Sequence, residues 1–596
     1  MRPRGAILLS RIATLLPRGA MLHPHDVMWA VAGIALLAAA MRLHAVGVGF
    51  AMDDYAQLAM LADAYPVRRA PWDLFAFCDG SSADIDALVD AGAFPWWSDP
   101  TLRLSTLRPL PSLLTWLDVR AFGLAPRLHH LHTFAWWLAM LAVVARLLLR
   151  MLPARWAVLA FALYALDECH AQPLAWLANR NAIVAATFGM AAVHAHVVAR
   201  EGGRGGALAA VWLAFALACG EGALGALGFI AAVEIAGQGS PRPRALVPIA
   251  IVVLAWAGIH AAGGYGAGHS GVYVDPVAEP LRWLVVAAQR VPILIADLAL
   301  ALPTGRLALG GRGLLAQQVA GVLAMLAIAW WLRRVAPRGD AAESVALRTF
   351  ALGTLFAVLP MASAFVSARL LVIPAIGAHV LIAHAVLAGL AAWRRHRWTA
   401  RARVALAAVL LAAHGLAAPW WSIREITEVR TFAADARRAA ASAPFDAGTD
   451  VVVLVAADPA TLLYPPLVRA ATGLPPPRSY LVLSAAPGTH RLRRTGAHTL
   501  ELEHDAGMLR GAVEQMFRRD DRLPEVGARR HVGDAVVEVR AVDGEGHPTR
   551  VAVTFATPID DPTLRFVLAT PAGFVRYPLG PVGVAVTLPP AAAPSR

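Results

Sequence analysis

Long runs of apolar residues constrain this chain more than any other feature. A helix that crosses a bilayer needs roughly 20 mostly apolar residues. Eleven stretches reach or approach that composition: residues 27–47, 130–150, 155–168, 181–199, 207–220, 222–236, 245–263, 314–333, 346–366, 370–393 and 402–420. Residues 155–168, 207–220 and 222–236 are short, so we expect them to tilt, extend or pair as hairpins. The sequence therefore predicts a mainly α, polytopic helical membrane domain with about eleven spans.

The composition agrees with a chain that lies mostly in lipid. Of its 596 residues, 58% are hydrophobic and 16% are charged, whereas soluble domains carry about 25% charged residues. Residues 1–420 contain 33 Arg against 21 acidic residues, and residues 421–596 contain 20 against 19. The basic excess of the membrane half therefore has a topological meaning. No basic stripe with interleaved aromatic residues points to nucleic acid.

The arginines predict the orientation of the spans. With eleven spans, the clusters between and before them all fall on one side: Arg2, Arg4, Arg11, Arg18, Arg146, Arg150, Arg155, Arg200, Arg204, Arg242, Arg244, Arg333, Arg334, Arg338, Arg394, Arg395, Arg397, Arg401 and Arg403. Positive residues favour the cytoplasm. We therefore expect a multi-pass protein of a bacterial-type cytoplasmic (inner) membrane, with residues 1–26 cytoplasmic, a membrane domain over 27–420, and a long outer loop over 48–129.

One apolar segment does not fit the simple pattern of spans. Residues 280–308 are interrupted by Arg282, Gln289 and Arg290. We expect an interfacial or re-entrant helix here. If the segment crossed the membrane, the C-terminal part would lie on the opposite side.

After residue 420 the apolar runs give way to shorter patterns. Residues 421–445 read as a charged connecting helix, and residues 446–596 as a β-rich extracytoplasmic domain. Its strand candidates are Val451–Ala456, Tyr480–Ser484, Arg491–Glu503, Ala535–Ala541, Arg550–Phe555, Thr563–Ala569 and Val582–Leu588. Turn signals separate them, which favours a small β-sandwich-like domain.

An acid pair, Asp53-Asp54, follows the first span directly. Two adjacent carboxylates are not needed to hold a helix in lipid, and their repulsion favours a raised pKa for one of them. The pair suggests a base at the water–lipid boundary, although solvated carboxylates that cap a helix are the plainer alternative.

Three further motifs follow in a fixed order. They are an Arg-Pro-Leu stretch at residues 108–110, Phe122-Gly123-Leu124 leading to His129, His130 and His132, and Trp176-Leu177-Ala178-Asn179-Arg180. This order resembles the GT-C class of polytopic glycosyltransferases. It is most similar to the protein O-mannosyltransferases whose membrane domain precedes lumenal tetratricopeptide repeats. The resemblance covers roughly residues 27–400 and leaves the C-terminal domain out.

The resemblance implies transfer of a sugar from a polyprenyl-phosphate carrier, with inversion, at the outer face. It makes Asp53 the best match for the general base, with Asp54 second. The outer-face arginines Arg108, Arg180 and Arg369 suit a phosphate leaving group. Two positions depart from the pattern of the family that the chain resembles. Gln172 occupies a position where that family often has glutamate, and Gly220 precedes Glu221 where the family often has lysine.

Other polar residues on the predicted outer side are candidates for donor or acceptor contact. These are His129, His132, Asp167, Glu168, His170 and Glu221. Interfacial polar residues and a wet turn are the alternatives. Paired tryptophans, Trp96-Trp97, are typical of a membrane interface.

We expect no cofactor and assign no metal ligands, although His129 and His132 lie three residues apart on one helix face and metal dependence stays open. Three cysteines exclude a disulfide framework, no Cys/His spacing suggests zinc, and no glycine loop has P-loop spacing. The function predicted is an integral membrane glycosyltransferase with a lipid-linked sugar donor and an unknown protein, glycan or lipid acceptor. A transporter or flippase, and a non-catalytic envelope-assembly protein on the same fold, remain alternatives.

Overall fold

A computed structural model describes residues 23–202, 205–237, 243–304, 311–334, 341–393, 398–442, 448–456 and 458–590. The expected cytoplasmic segment 1–22 and several of the topology-setting arginines (Arg204, Arg242, Arg338, Arg394, Arg395 and Arg397) lie outside the described residues.

The first 125 residues supply one span and a structured loop. Their elements are α1 (Pro24–Arg42), α2 (Asp53–Leu61), β1 (Ala76–Asp79), α3 (Ser82–Asp90), β2 (Arg103–Ser105) and α4 (Pro109–Phe122). Helix α4 begins with proline, whose fixed φ suits a first helical position. The Arg-Pro-Leu stretch at residues 108–110 therefore leads directly into a helix.

Helices then follow one another with short connections. They are α5 (Pro126–Met151), α6 (Ala154–Leu166), α7 (Ala171–Ala175), α8 (Arg180–Arg200), α9 (Gly206–Leu217), α10 (Leu224–Ala236) and α11 (Pro243–Ala262). After strand β3 (Gly266–Gly268) come α12 (Pro280–Leu300), α13 (Gly311–Arg334), α14 (Ala341–Val358), α15 (Pro374–Ala392), α16 (Trp398–Ala412) and α17 (Ala418–Ala441).

Each of the eleven apolar stretches coincides with a helix. Within the described ranges, nine helical segments are long and apolar enough to cross a membrane, and one of them is Pro280–Leu300, outside the eleven stretches. Ala154–Leu166 and Gly206–Leu217 are shorter apolar helices. The prediction of a polytopic helical domain is confirmed.

Helices α16 and α17 form one continuous rod through a π-helical segment, Ala413–Ala417. The sequence predicted a span ending at residue 420 and a separate connecting helix. The side chains do become polar there, but the backbone continues as helix to Ala441. Residues 443–445 of the predicted connecting helix lie outside the described residues.

The C-terminal domain contains two sheets and three short helices. Its elements are β4 (Asp450–Val453), α18 (Pro459–Leu462), α19 (Tyr464–Ala471), β5 (Ser479–Val482), β6 (His490–Arg494), β7 (Thr499–Glu503), α20 (Ala512–Phe517), β8 (Arg529–Val532), β9 (Ala535–Val542), β10 (Pro548–Phe555), β11 (Leu564–Thr570), β12 (Gly573–Arg576) and β13 (Ala585–Leu588). The six-stranded sheet has the order β13-β6-β7-β10-β9-β8, and the four-stranded sheet has the order β12-β11-β4-β5.

The domain is β-rich as predicted, with one difference in architecture. Strand β4 pairs in parallel with both β5 and β11. A parallel pair requires a crossover, which α18 and α19 provide between β4 and β5. The small sheet is therefore mixed, and the domain is not a purely antiparallel sandwich.

Loops that are distant in sequence meet on one face, which we call the loop face. Strand β2 pairs with both β1 and β3, so residues 76–105 and 266–268 lie together. The Val274 N–H donates to the Ser363 carbonyl at 2.9 Å, which places the turn after α14 on the same face. A chain that leaves this face and returns to it must cross the membrane an even number of times.

Three helices, α12 to α14, lie between those two points, so one of them does not cross. Helix α12 fits this role, since both of its ends contact the loop face. Trp283 in its first turn donates to Ser363 Oγ at 2.9 Å, and the Ala299 carbonyl in its last turn lies 3.2 Å from His414 Nε2, near the loop-face end of α6. Helix α12 is also long and apolar enough to cross a membrane, so the re-entrant or interfacial segment stays a prediction; residues 305–308 lie outside the described part.

The long first loop and the C-terminal domain share one hydrophobic core. Tyr55 and Trp97 of the loop are buried in the same cluster as Val452 and Leu481 of the domain. Trp96 Nε1 donates to the Leu483 carbonyl at 3.1 Å. The paired tryptophans were expected at a membrane interface, but they pack between the loop and the domain.

Candidate active site

Asp53 is the first residue of α2 and contacts the C-terminal domain. The preceding residue, Met52, has φ +52°, a strained backbone conformation for a residue with a side chain. Asp53 is half-buried. The Tyr464 hydroxyl, from the C-terminal domain, donates to Asp53 Oδ1 at 3.3 Å.

Two guanidinium groups act on the Asp53 carboxylate. Burial raises the pKa of Asp53 above its ordinary value, and the charge of Arg369, the Tyr464 hydrogen bond and the charge of Arg108 oppose that rise. A carboxylate with a raised pKa next to cations is an arrangement typical of catalytic sites.

Arg108 precedes α4 and is held between an aromatic ring and a glycine. Its guanidinium lies 4.9 Å from the centre of the Phe75 ring. A Cβ atom at Gly220, which has φ +115°, would come within 2.9 Å of Arg108 Cγ and Nε. Burial lowers the pKa of Arg108, while Glu221 opposes the change. Arg108 Nε is buried with no hydrogen-bond partner among the described residues, so it has a donor to offer.

Arg369 reaches the site from the turn between α14 and α15. It belongs to a short 3-10 turn, Ala368–Leu371. Its guanidinium lies 4.8 Å from the centre of the Trp176 ring, which fixes the plane of the group. Arg108 and Arg369 also repel each other, so an anion between them would be stabilised.

Asp54 differs from its neighbour in its surroundings. One carboxylate oxygen accepts from the Ala51 N–H at 2.8 Å, and the other accepts from the Ala178 N–H at 2.7 Å. Burial raises the pKa of Asp54 to about 7, against these hydrogen bonds. Asp54 therefore joins the start of α2 to the turn before α8, and its oxygens are already engaged.

Arg180, His129 and His132 converge on a residue that the sequence analysis did not single out, Asp118 of α4. Arg180 Nη1 is 2.5 Å from Asp118 Oδ2, and His132 Nδ1 is 2.6 Å from Asp118 Oδ1. His129 Nδ1 lies 3.9 Å from the same carboxylate. Arg180 is thus already ion-paired. The signal available in sequence was the single acid of a mostly apolar helix.

Glu221 lies on the far side of Arg108. Its carboxylate is 3.4 Å from His260 Nε2. Burial alone would raise the pKa of Glu221, but the hydrogen bond to His260 and the charge of Arg108 hold it below the ordinary value. Glu221 therefore helps to hold Arg108 in place.

Asp167, Glu168 and His170 form a separate buried group. The Asp167 backbone carbonyl accepts from Arg42 at 2.7 Å, and Asp167 Oδ2 is 3.0 Å from His379 Nε2. The His170 ring packs against Tyr164 with ring centres 4.7 Å apart. The side-chain contacts of these residues are with one another and with the spans around them, and not with Arg108 or Arg369.

Gln172, which the resemblance marked as a departure, donates to a carboxylate of α17. Its Nε2 lies 2.7 Å from Glu425 Oε1. The α17 helix therefore supplies an acid next to the position where the sequence lacks one.

No family model and no curated protein matches this chain. Among solved structures, ArnT from Cupriavidus metallidurans bound to undecaprenyl phosphate is 13% identical, with 82% of this chain and 93% of that one covered and a TM-score of 0.34. The same protein in the apo state is 13% identical over 79% of this chain and 84% of that one, with a TM-score of 0.35.

The oligosaccharyltransferase of Archaeoglobus fulgidus, tethered to an acceptor peptide, is 12% identical, with 76% of this chain and 64% of that one covered and a TM-score of 0.37. The likeness is distant, so the function proposed below rests on the contacts and charges of this chain.

Proposed function

We propose that this protein is an integral membrane glycosyltransferase. It moves a sugar from a polyprenyl-phosphate donor to an acceptor at the loop face, on the outer side of a cytoplasmic membrane. The observation that carries the proposal is the Tyr464 hydroxyl bonded to Asp53, together with the charges of Arg369 and Arg108, which act on the same carboxylate. A base and two cations at the loop-face end of a helical membrane domain are the groups that this transfer requires.

In the proposed reaction Asp53 takes the proton of the acceptor hydroxyl as its oxygen attacks the anomeric carbon. The bond from that carbon to the phosphate oxygen breaks on the opposite side, so the configuration inverts. The leaving phosphate gains negative charge, which needs cations but no protein acid. Arg108 and Arg369 are the groups placed to hold it, because guanidinium binds two phosphate oxygens at once.

Arg180 has a different role in this proposal. Its pairing with Asp118 makes it a positioning residue, since α8 begins at Arg180 directly after the turn that binds Asp54. His129 and His132 join the same group and hold α4 against α5. Glu221 acts through Arg108. The substrate contacts expected of Asp167, Glu168 and His170 are not part of the proposed site.

The test is sugar transfer by the purified full-length protein in lipid nanodiscs, with a panel of polyprenyl-phosphate-linked sugars. We expect Asp53→Asn to lower transfer by about 100-fold or more, the usual contribution of a general base. Asp63→Asn is the matched control, since Asp63 follows α2 in the same loop and is exposed, 3.6 Å from Arg68. Wild-type rates in Asp53→Asn would remove Asp53 as the base, and no transfer by the wild-type protein with any sugar of the panel would favour the non-catalytic alternative.

A further inference from the structure

We propose that Asp167, His379 and His414 form a binding site for a divalent transition-metal ion of the zinc type. The three residues come from different elements of the membrane domain. Asp167 follows α6 directly, His379 lies in α15, and His414 lies in the π-helical segment between α16 and α17. They are distinct from the residues around Asp53, so this proposal does not depend on the proposed transferase activity.

The donor atoms have the spacing of a shared ion. One carboxylate oxygen and one ring nitrogen from each histidine all lie within 4.8 Å of one another. Asp167 Oδ2 is 3.0 Å from His379 Nε2 and 3.9 Å from His414 Nδ1. Tetrahedral ligands at about 2.0–2.1 Å from zinc lie roughly 3.3 Å apart, between these two distances.

The other ring nitrogens are held by the backbone. His379 Nδ1 is 2.7 Å from the Ala375 carbonyl, and His414 Nε2 is 3.2 Å from the Ala299 carbonyl. A carbonyl only accepts, so those nitrogens carry the hydrogens. In neutral imidazoles the nitrogens that face Asp167 then carry lone pairs. Metal-binding histidines usually have this second hydrogen bond.

Asp167 is the polar group that faces both of these buried nitrogens, and neither nitrogen makes a hydrogen bond of good geometry among the described residues. Two lone pairs and a carboxylate would repel one another. A cation between them removes the repulsion and gives each buried atom a partner.

The surrounding charges also favour a cation. Glu168 and Asp297 are buried next to Asp167, and each has a carboxylate oxygen without a hydrogen-bond partner in the described part of the chain. Arg42 and His170 also face this group, and Arg42 donates to the Asp167 carbonyl. Burial of these three carboxyl groups beside one guanidinium inside an apolar domain disfavours their charged forms, and a bound cation would stabilise the charged form of Asp167.

Two imidazoles and a carboxylate select for zinc and similar ions, whereas Mg²⁺ and Ca²⁺ prefer oxygen ligands. Such an ion would tie α15 and the α16–α17 rod to the end of α6. The rod leads to the C-terminal domain, and π-helical segments often occur at functional sites. The site therefore has a structural role in holding the domain over the membrane.

The test measures metal in the full-length protein after stripping with a chelator and reconstitution with Zn²⁺. We expect about one zinc per chain, loss of that zinc in His379→Gln and His414→Gln, and visible bands of tetrahedral Co²⁺ when Co²⁺ replaces Zn²⁺. His384→Gln is the matched control, because His384 is buried in the same helix against Trp156 and Trp331. It should keep the zinc.

Two results would overturn the site. One is a wild-type protein that binds less than about a tenth of an equivalent, a result that does not depend on the folding of any variant. The other is equal zinc in the wild type, His379→Gln and His414→Gln, which would show adventitious binding elsewhere. A bound ion should also raise the Tm of the reconstituted protein above that of the stripped protein.

Discussion

At the scale of single residues, the adjacent acids Asp53 and Asp54 have different contacts and therefore different roles. Asp54 accepts two backbone N–H groups, whereas Asp53 faces two guanidinium groups and a hydroxyl. The sequence predicted a base in this pair. The resemblance ranked Asp53 first, but the residues alone did not separate the two acids, because Ala178, Arg369 and Tyr464 are more than 100 residues away in sequence. Asp118 was missed because its partners lie on the two later helices α5 and α8.

The pH dependence of transfer should report on Asp53. A base acts when deprotonated, so activity is lost as pH falls through its pKa, which burial raises. Tyr464→Phe removes a hydrogen bond that lowers this pKa, so the acid limb of kcat/KM should move to higher pH. Tyr480→Phe, which loses a hydroxyl bonded to the Thr461 carbonyl, is the control. An unchanged acid limb in Tyr464→Phe would contradict the assignment.

Asp54→Asn should affect stability more than Asp53→Asn does. An amide has one acceptor oxygen, so its NH2 group would face the N–H of Ala51 or Ala178. A buried donor without a partner costs about 1–3 kcal/mol. Thermal unfolding of both variants measures the difference. Equal Tm values would show that the two hydrogen bonds from backbone N–H groups to Asp54 do not stabilise the fold.

At the scale of elements, apolar periodicity identified the helices but not their continuity. The sequence placed an end at residue 420, where the apolar run stops. The π-helical segment Ala413–Ala417 lies just before this point, and the backbone continues from it as helix to Ala441. Similarly, the sequence pattern predicted one strand over Arg491–Glu503, because the turn at 495–498 was not identified. The structure has a hairpin of β6 and β7 there.

Gly220→Ala tests the turn that supports Arg108. The added Cβ would lie 2.9 Å from Arg108 Cγ and Nε, so the guanidinium must shift. We expect a raised KM for the lipid-linked donor, by about 10-fold for a loss of about 1.4 kcal/mol. Gly202→Ala is the control for backbone strain, because Gly202 has φ +95° and no atom within 4 Å of the added Cβ. The same KM in both variants would show that Gly220 does not position Arg108.

At the scale of the whole molecule, the first loop and the C-terminal domain behave as one unit. Asp99 is 2.7 Å from Arg522, Arg518 Nε donates to the Trp97 carbonyl at 2.7 Å, and Tyr464 completes the surroundings of Asp53. Hydropathy could predict that both lie on one side of the membrane. It could not predict that they share a core, since the pairing residues are some 400 positions apart.

Gly92→Ala tests that shared core. Gly92 of the loop has φ +71°, and an added Cβ would come within 2.5 Å of Tyr480 Cβ in the domain. Gly473→Ala is the matched control, with φ +73° and no atom within 4 Å. Both substitutions strain the backbone, by about 1–2 kcal/mol, but only Gly92→Ala adds an overpacking cost of about 1–3 kcal/mol. We therefore expect a lower Tm for Gly92→Ala, with a loss of transfer because Tyr464 moves away from Asp53. If the two variants unfold at the same temperature and transfer equally, the domain does not need to be seated on the loop for the site to form.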